Sequence, residues 1–243
     1  MTPPQLVLCL LLWWMTSTLG LQGFGLAMRR LLVTRRHLSA SDGPSAAVAE
    51  AARDAHFMRL ALRHAQFAFR EKEVPIGAVV VDEGGRVIAA GRNSVETLRD
   101  ASAHAELSVL KKASAVLGNW RLQGCTLYTT LEPCAMCMGA AQGFRVRRLV
   151  YGAADHRLGA CGSWINLADK AHPFCAVAIT GGVLATESSI LLRRFFQLRR
   201  REAAGAVVGG LSLSPPSLDE FSAAYELNGG EREGGGGEER EME

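Results

Sequence analysis

The chain shows no internal repeat and no collagen-type glycine period, and 26 glycines with 8 prolines in 243 residues are too few to make it low-complexity throughout. Long apolar runs are missing as well. The run Leu6 to Met15 has about the length of a signal-peptide core and falls short of a spanning helix, which excludes a multi-span membrane protein. Acidic residues are absent from residues 1–41, which hold four arginines, whereas residues 203–243 hold nine acidic residues and two basic ones. The stretch between, residues 42–202, carries 21 basic and 15 acidic residues, so a net charge of +3 conceals a basic body with an acidic end. Six cysteines do not build a disulfide scaffold here: Cys9 lies in the leader, and two others have a better use below. With 48% hydrophobic and 21% charged residues, the composition suits a soluble protein with one sizeable core.

Residues 1–41 read as a targeting leader. After the apolar core comes MRRLLVTRRHLSAS, which has the arginine and serine enrichment and the acid poverty of an organelle transit peptide. Core and transit segment together resemble the bipartite leaders that carry proteins into plastids bounded by extra membranes. Mitochondrial targeting is one alternative; the other is a membrane anchor from Leu6 to about Met28, diluted by Gly20, Gly23 and Gly25. With the leader removed, no stable membrane association is expected. Residues 42–51 read as a linker, and residues 203–243, rich in glycine and glutamate, as a disordered tail that buries too little apolar surface to offset its ordering entropy. One domain remains, residues 52–202.

Within that domain Phe57, Leu60, Ala61, His64, Ala65 and Ala68 share one helical face, and Pro75 closes the segment. GAVVVD at 77–82 and RVIAAG at 86–91, separated by Glu83, Gly84 and Gly85, predict a hairpin. Alternation follows: a helix from about His104 to Leu117, a strand at Cys125 to Thr130, a helix from Cys134 to about Gly143, strands at Arg148 to Tyr151 and near Val177 to Thr180, and a helix from about Thr186 to Arg201. A hairpin followed by alternating strands and helices predicts an α/β fold, a mixed sheet of about five strands covered by helices on both faces.

Four residues at helix starts carry the chemistry. Cys134 and Cys137, in LEPCAMCMGAA, lie three apart on the first turn of one helix, and His104, in SAHAELSVLKKA, lies at the start of another. Two thiolates and an imidazole supply three corners of a tetrahedral zinc site and leave the fourth open to water, the mark of catalytic rather than structural zinc. Glu106, two residues beyond His104, is placed to serve as general acid and base without being a ligand. Pro133 suits the position ahead of a helix, and the helix N-terminus favours the thiolates. Cys125 reads as a small core residue, while Cys161 and Cys175 lie in or beside loops without an assignable partner.

H-A-E followed about 30 residues later by P-C-x-x-C is the zinc deaminase signature. The flanks REKEVPIGAVVV, GRNS, TLYTTLEPCAMCMGA, YGAADHRLGACGS and FFQLRRRE narrow it, and residues 52–202 resemble the bacterial-type tRNA adenosine deaminases, which convert wobble adenosine to inosine. The resemblance implies a three-layer α/β/α cytidine deaminase-like fold, one Zn2+ per subunit, a homodimer, and the anticodon stem-loop of tRNA as substrate. It implies Asn93 as a base or ribose contact, the backbone near Ala105 as a reader of the flipped base, Asp155 and Arg157 as contacts on the substrate loop, and Phe195, Phe196 and Arg199 as contacts to the stem-loop. The implied reaction is hydrolytic: water activated at zinc attacks C6 of adenine while Glu106 moves the protons. Basic residues Arg193, Arg194, Arg199, Arg200 and Arg201, with Arg145, Arg147 and Arg148, are available to phosphates. The sequence departs from the family at Ala101, Arg157 and Gly143-Phe144. Three other readings remain: a nucleoside, nucleotide or free-base deaminase of the same superfamily, which would not need the basic last helix; a non-catalytic RNA-binding subunit, which would not need Glu106; and a purely structural zinc domain, which having only three well-spaced ligands disfavours.

Overall fold

Val79 and Val81 belong to one apolar cluster and Ala78 and Val80 to another, on opposite faces of the strand β1 (Gly77–Val81). All five residues of β1 are buried, which is why GAVVV is apolar throughout instead of alternating. The computed structural model describes residues 45–168 and 175–204 together with Pro215; the leader at 1–41 and the tail beyond Ala204 lie outside the described residues, apart from Pro215.

β1 pairs antiparallel with β2 (Val87–Arg92), and Gly85, at φ +87°, makes the turn that joins them as expected. On its other side β1 pairs antiparallel with β3 (Thr126–Leu131), which is parallel to β4 (Arg148–Ala153), itself parallel to β5 (Ala178–Thr180). The order β2-β1-β3-β4-β5 is a mixed five-stranded sheet. Five helices accompany it: α1 (Ala46–Arg70), α2 (Val95–Leu98), α3 (Ala105–Leu117), α4 (Ala135–Gly143) and α5 (Ala185–Ala203). Met58 and Ala61 of α1 pack with Val79, Tyr128 and Val150, and Leu191, Phe195 and Leu198 of α5 close over Phe69 on the same side. Val109 and Leu110 of α3 and Met138 and Ala141 of α4 cover the opposite face, against Ala78, Val80, Leu127 and Leu149. The result is the expected three-layer α/β/α arrangement.

Two details differ from the sequence reading. α1 starts at Ala46, inside the segment 42–51 expected as a linker. Residues 46–53 are exposed, so this extension owes its helix to alanine's propensity and not to burial. The buried face of α1 also takes in Met58, Leu62 and Phe69, while Leu60 and His64 lie at its margin. α1 crosses β1 closely at Gly77, where a Cβ would lie 2.0 Å from the carbonyl oxygen of Ala61, so only glycine fits.

A buried polar lock ties this layer together. Both carboxylate oxygens of Asp54 accept from the Arg148 guanidinium at 2.7 Å, and Asp54 also accepts from the Tyr128 hydroxyl at 2.9 Å. Arg148 donates in addition to Thr180 Oγ1 at 2.9 Å. The lock joins α1, β3, β4 and β5, and it corrects the grouping of Arg148 with the phosphate-binding arginines, since its charge is already met inside the fold. No helix among the described residues is long and apolar enough to cross a membrane.

Candidate active site

The carboxyl ends of β3 and β4, the end of β2 and the start of β1 all meet at one edge of the sheet, where α3 and α4 begin. Ligand sites in open α/β sheets gather beyond the carboxyl ends of parallel strands because the loops there converge from several elements. His104 is the N-cap of α3 and Cys134 the N-cap of α4, both with extended backbone, and each carbonyl starts its helix by accepting from Ser108 and Met138 respectively. Cys137 follows within the first turn of α4 and is buried.

These three residues converge. His104 Nδ1 lies 3.4 Å from Cys137 Sγ and 3.7 Å from Cys134 Sγ, and all three donor atoms lie within 4.8 Å of one another. Zn–N and Zn–S bonds of about 2.1 and 2.3 Å in a tetrahedron give edges of about 3.6 to 3.8 Å, so one nitrogen and two sulfurs at this spacing fit a zinc ion. Hydrogen bonds from Cys137 and His104 pull the Cys134 thiol down to about 4, against the opposing effect of burial. Cys137, which donates to that thiolate and is itself buried, is pushed up. The charge of a bound cation would take over the work of these bonds.

Glu106 is 3% exposed in the first turn of α3. Burial pushes its carboxyl up, and Oε2 has no hydrogen-bond partner among the described residues. A buried carboxylate oxygen without a partner, next to three metal-type donors, is a group held ready for something the protein itself does not supply.

Beside this cluster opens a cavity of about 450 Å³. Val74, Ile76, Val95, Leu131, Leu192 and Phe196 make most of its apolar lining, with Asn93, His104, Glu106 and Asp155 among its polar groups. A few fixed polar groups on an apolar wall suit a small-molecule ligand or a single group of a larger one. Asn93 is buried and donates its Nδ2 to Glu73 at 3.0 Å. Ala105 is buried between His104 and Glu106. Asp155 and Arg157 both line the cavity, and Asp155 Oδ1 accepts from the backbone N–H of Arg157 at 2.9 Å. Phe196 reaches the cavity and is 40% exposed, but Phe195 faces the other way: it is 6% exposed and packs edge-on against Phe69. Neighbours on a helix differ by about 100° in direction, so the pair cannot share one role. Arg199 lies outside the cavity lining, on the exposed side of α5, paired with Glu202 at 2.9 Å. Cys125 is a buried core residue as expected.

Sequence reasoning passed over two buried carboxylates. Glu73 accepts from Asn93 Nδ2 and from the backbone N–H groups of Glu96 and Thr97 at 3.3 and 2.6 Å, fixing the wall at α2. Glu132 accepts from the backbone N–H groups of Asp155, Cys161 and Ser163, fixing the opposite wall. Their only advance signal was a glutamate at the edge of an apolar strand pattern, in REKEVPIG and TTLEPC.

The family model for the cytidine and deoxycytidylate deaminase zinc-binding region matches residues 51–153, a span that holds His104, Glu106, Cys134 and Cys137. A tRNA-specific adenosine deaminase of Haemophilus influenzae is 43% identical over 149 residues, covering 61% of this chain and 86% of the relative. The chain belongs to the tRNA-specific adenosine deaminase family. A chloroplastic tRNA(adenine(34)) deaminase of Arabidopsis thaliana is 46% identical over 162 residues, 60% of this chain, although the chain spans only 12% of that much longer relative. Among solved structures, one from work on A-to-I editing by tRNA:A34 deaminases at the wobble position is 44% identical, with a TM-score of 0.53 over 56% of this chain and 97% of that one.

Proposed function

We propose that this chain deaminates adenosine to inosine at the wobble position, residue 34, of tRNA. The observation that carries the reading is the donor cluster of His104, Cys134 and Cys137 beside the buried Glu106 carboxyl, whose Oε2 has no hydrogen-bond partner among the described residues, next to one cavity, in a chain from a tRNA-specific adenosine deaminase family. His104, Cys134 and Cys137 would hold one zinc ion per chain. Zinc, when bound, supplies the Lewis-acid activation that makes water a nucleophile near neutral pH. Glu106 sits where it can accept the proton that water gives up and pass it to the ring nitrogen, then to the ammonia leaving C6. Water and adenosine thus balance inosine and ammonia. Asn93, locked by Glu73, and the backbone beside Ala105 orient the base, while Asp155, Arg157 and Phe196 flank the opening through which the nucleotide enters. A wobble adenosine is already unpaired, so extruding it costs only part of the few kcal/mol that a duplex base requires.

Arg199 and the neighbouring exposed arginines of α5 are the phosphate contacts of this reading, and a homodimer is its assembly. Plastid localisation is supported by the leader's composition and by the chloroplastic Arabidopsis relative. The test is an inosine assay with the zinc-loaded full chain on an adenosine-wobble anticodon stem-loop, free adenosine and free cytidine in parallel. Inosine in the stem-loop alone is expected; turnover of a free nucleoside with an untouched stem-loop would reassign the chain to small-molecule deamination.

A further inference from the structure

The loop after β4 contributes Asp155, Arg157 and Leu158 to the cavity, yet its backbone is not held by a helix or a strand of the sheet. It is held by Glu132. This side chain, 2% exposed, accepts from Asp155 N–H on Oε2 at 3.0 Å and from Cys161 and Ser163 N–H on Oε1 at 2.9 and 3.1 Å. The loop also bridges the metal-site segment directly: Ala160 N–H donates to the Pro133 carbonyl at 2.8 Å, and Gly159 pairs with Cys134 in an isolated antiparallel bridge. Gly159 is pressed so closely that a Cβ there would lie 2.5 Å from both the Asp155 carbonyl oxygen and the Glu132 carboxylate.

We propose that Glu132 is a positioning residue: it ties the substrate loop from Asp155 to Ser163 onto the strand that delivers Cys134, so that the rim of the cavity and the metal-site floor keep one fixed spacing. The inference rests on the reading of this cavity as the substrate site, but its structural part stands without it. Glu132 is suited to the task because an ionised carboxylate only accepts, and here three N–H donors converge on it from both ends of one loop. Glutamine cannot reproduce this. With its oxygen toward Cys161 and Ser163, its NH2 group faces the N–H of Asp155, donor against donor, and the Asp155 end of the loop is released.

The test uses the full chain as wild type, Glu132→Gln and Gly159→Ala, with three readouts: backbone amide exchange followed by mass spectrometry, zinc content, and kcat and KM on an adenosine-wobble stem-loop. In wild type the amides of Asp155, Cys161 and Ser163 should be protected although they belong to no helix or sheet strand; unprotected amides there overturn the proposal whether or not either variant folds. In Glu132→Gln, exchange over residues 154–164 should rise about tenfold with α3 and α4 unchanged, and KM should rise about tenfold with kcat and zinc content held. Gly159→Ala should shift the same peptides by pushing the clamp apart. Faster exchange throughout the domain, or loss of zinc with an unshifted loop, overturns the proposal by making Glu132 a stability or metal-site residue. If wild type does not edit the stem-loop, the substrate reading fails, while exchange and zinc content still decide the clamp.

Discussion

Asn93 donates its side-chain amide to a buried carboxylate, that of Glu73, at 3.0 Å. Because an ionised glutamate only accepts, this bond fixes which way the Asn93 amide is turned: Nδ2 is committed to Glu73, and Oδ1 remains as the acceptor available to a ligand in the cavity.

That arrangement gives the acid side of the stability profile. Burial opposes ionisation of Glu73, but the N–H groups of Thr97 and Glu96 and the Asn93 amide outweigh it and hold the carboxyl below its ordinary value near 4.5. A depressed folded-state value means that Glu73 contributes stability above about pH 4.5, which is lost as the pH falls below it toward the folded-state value. Wild type should therefore lose Tm over that acid range. Glu73→Gln should start from a lower Tm at pH 7 and follow a flatter curve below pH 5, which thermal melts in a pH series will show.

The metal cluster and the proton carrier should separate by mutation. Cys134→Ala should lose zinc and activity together, because two remaining donors hold zinc poorly. Glu106→Gln should keep zinc and lose about two to four orders of magnitude in kcat, the usual worth of general acid–base catalysis. Metal analysis alongside single-turnover rates distinguishes them; a Glu106→Gln protein working at the parental rate removes Glu106 from the mechanism.

Phe195 and Phe196 are adjacent in sequence and opposite in consequence. Phe195→Ala empties a buried site against Phe69 and Leu191 and should cost about 3 kcal/mol in urea unfolding. Phe196→Ala, at the exposed rim of the cavity, should leave the unfolding midpoint nearly unmoved and raise KM for the stem-loop.

Asp54→Ala should destabilise without touching catalysis. Among the described residues it leaves the Arg148 guanidinium buried with exposed Glu50 as its remaining counter-charge, and the Tyr128 hydroxyl without its acceptor, at a cost of about 3 kcal/mol. The lock lies at the starts of β3 and β4, away from the cavity at their carboxyl ends, so kcat/KM measured below the unfolding temperature should stay within about twofold of wild type.

Periodicity and spacing decided much of this protein from sequence alone. GAVVVD and the glycine turn after it predicted one strand of a hairpin, and the alternation that follows predicted a mixed sheet covered on both faces. H-A-E with P-C-x-x-C placed His104, Cys134 and Cys137 at two helix starts, because local hydrogen bonding and chain geometry set where a helix begins. What sequence could not decide depended on contacts between distant segments. Only the packed fold turned Phe195 inward and Phe196 outward, spent Arg148 on Asp54 across 94 positions of chain, and set Glu73 and Glu132 beneath the two walls of the cavity. A glutamate at a strand end looks like a solvated residue until tertiary structure brings backbone N–H groups to it, since the free energy of burying a charge is settled by partners that no local pattern names.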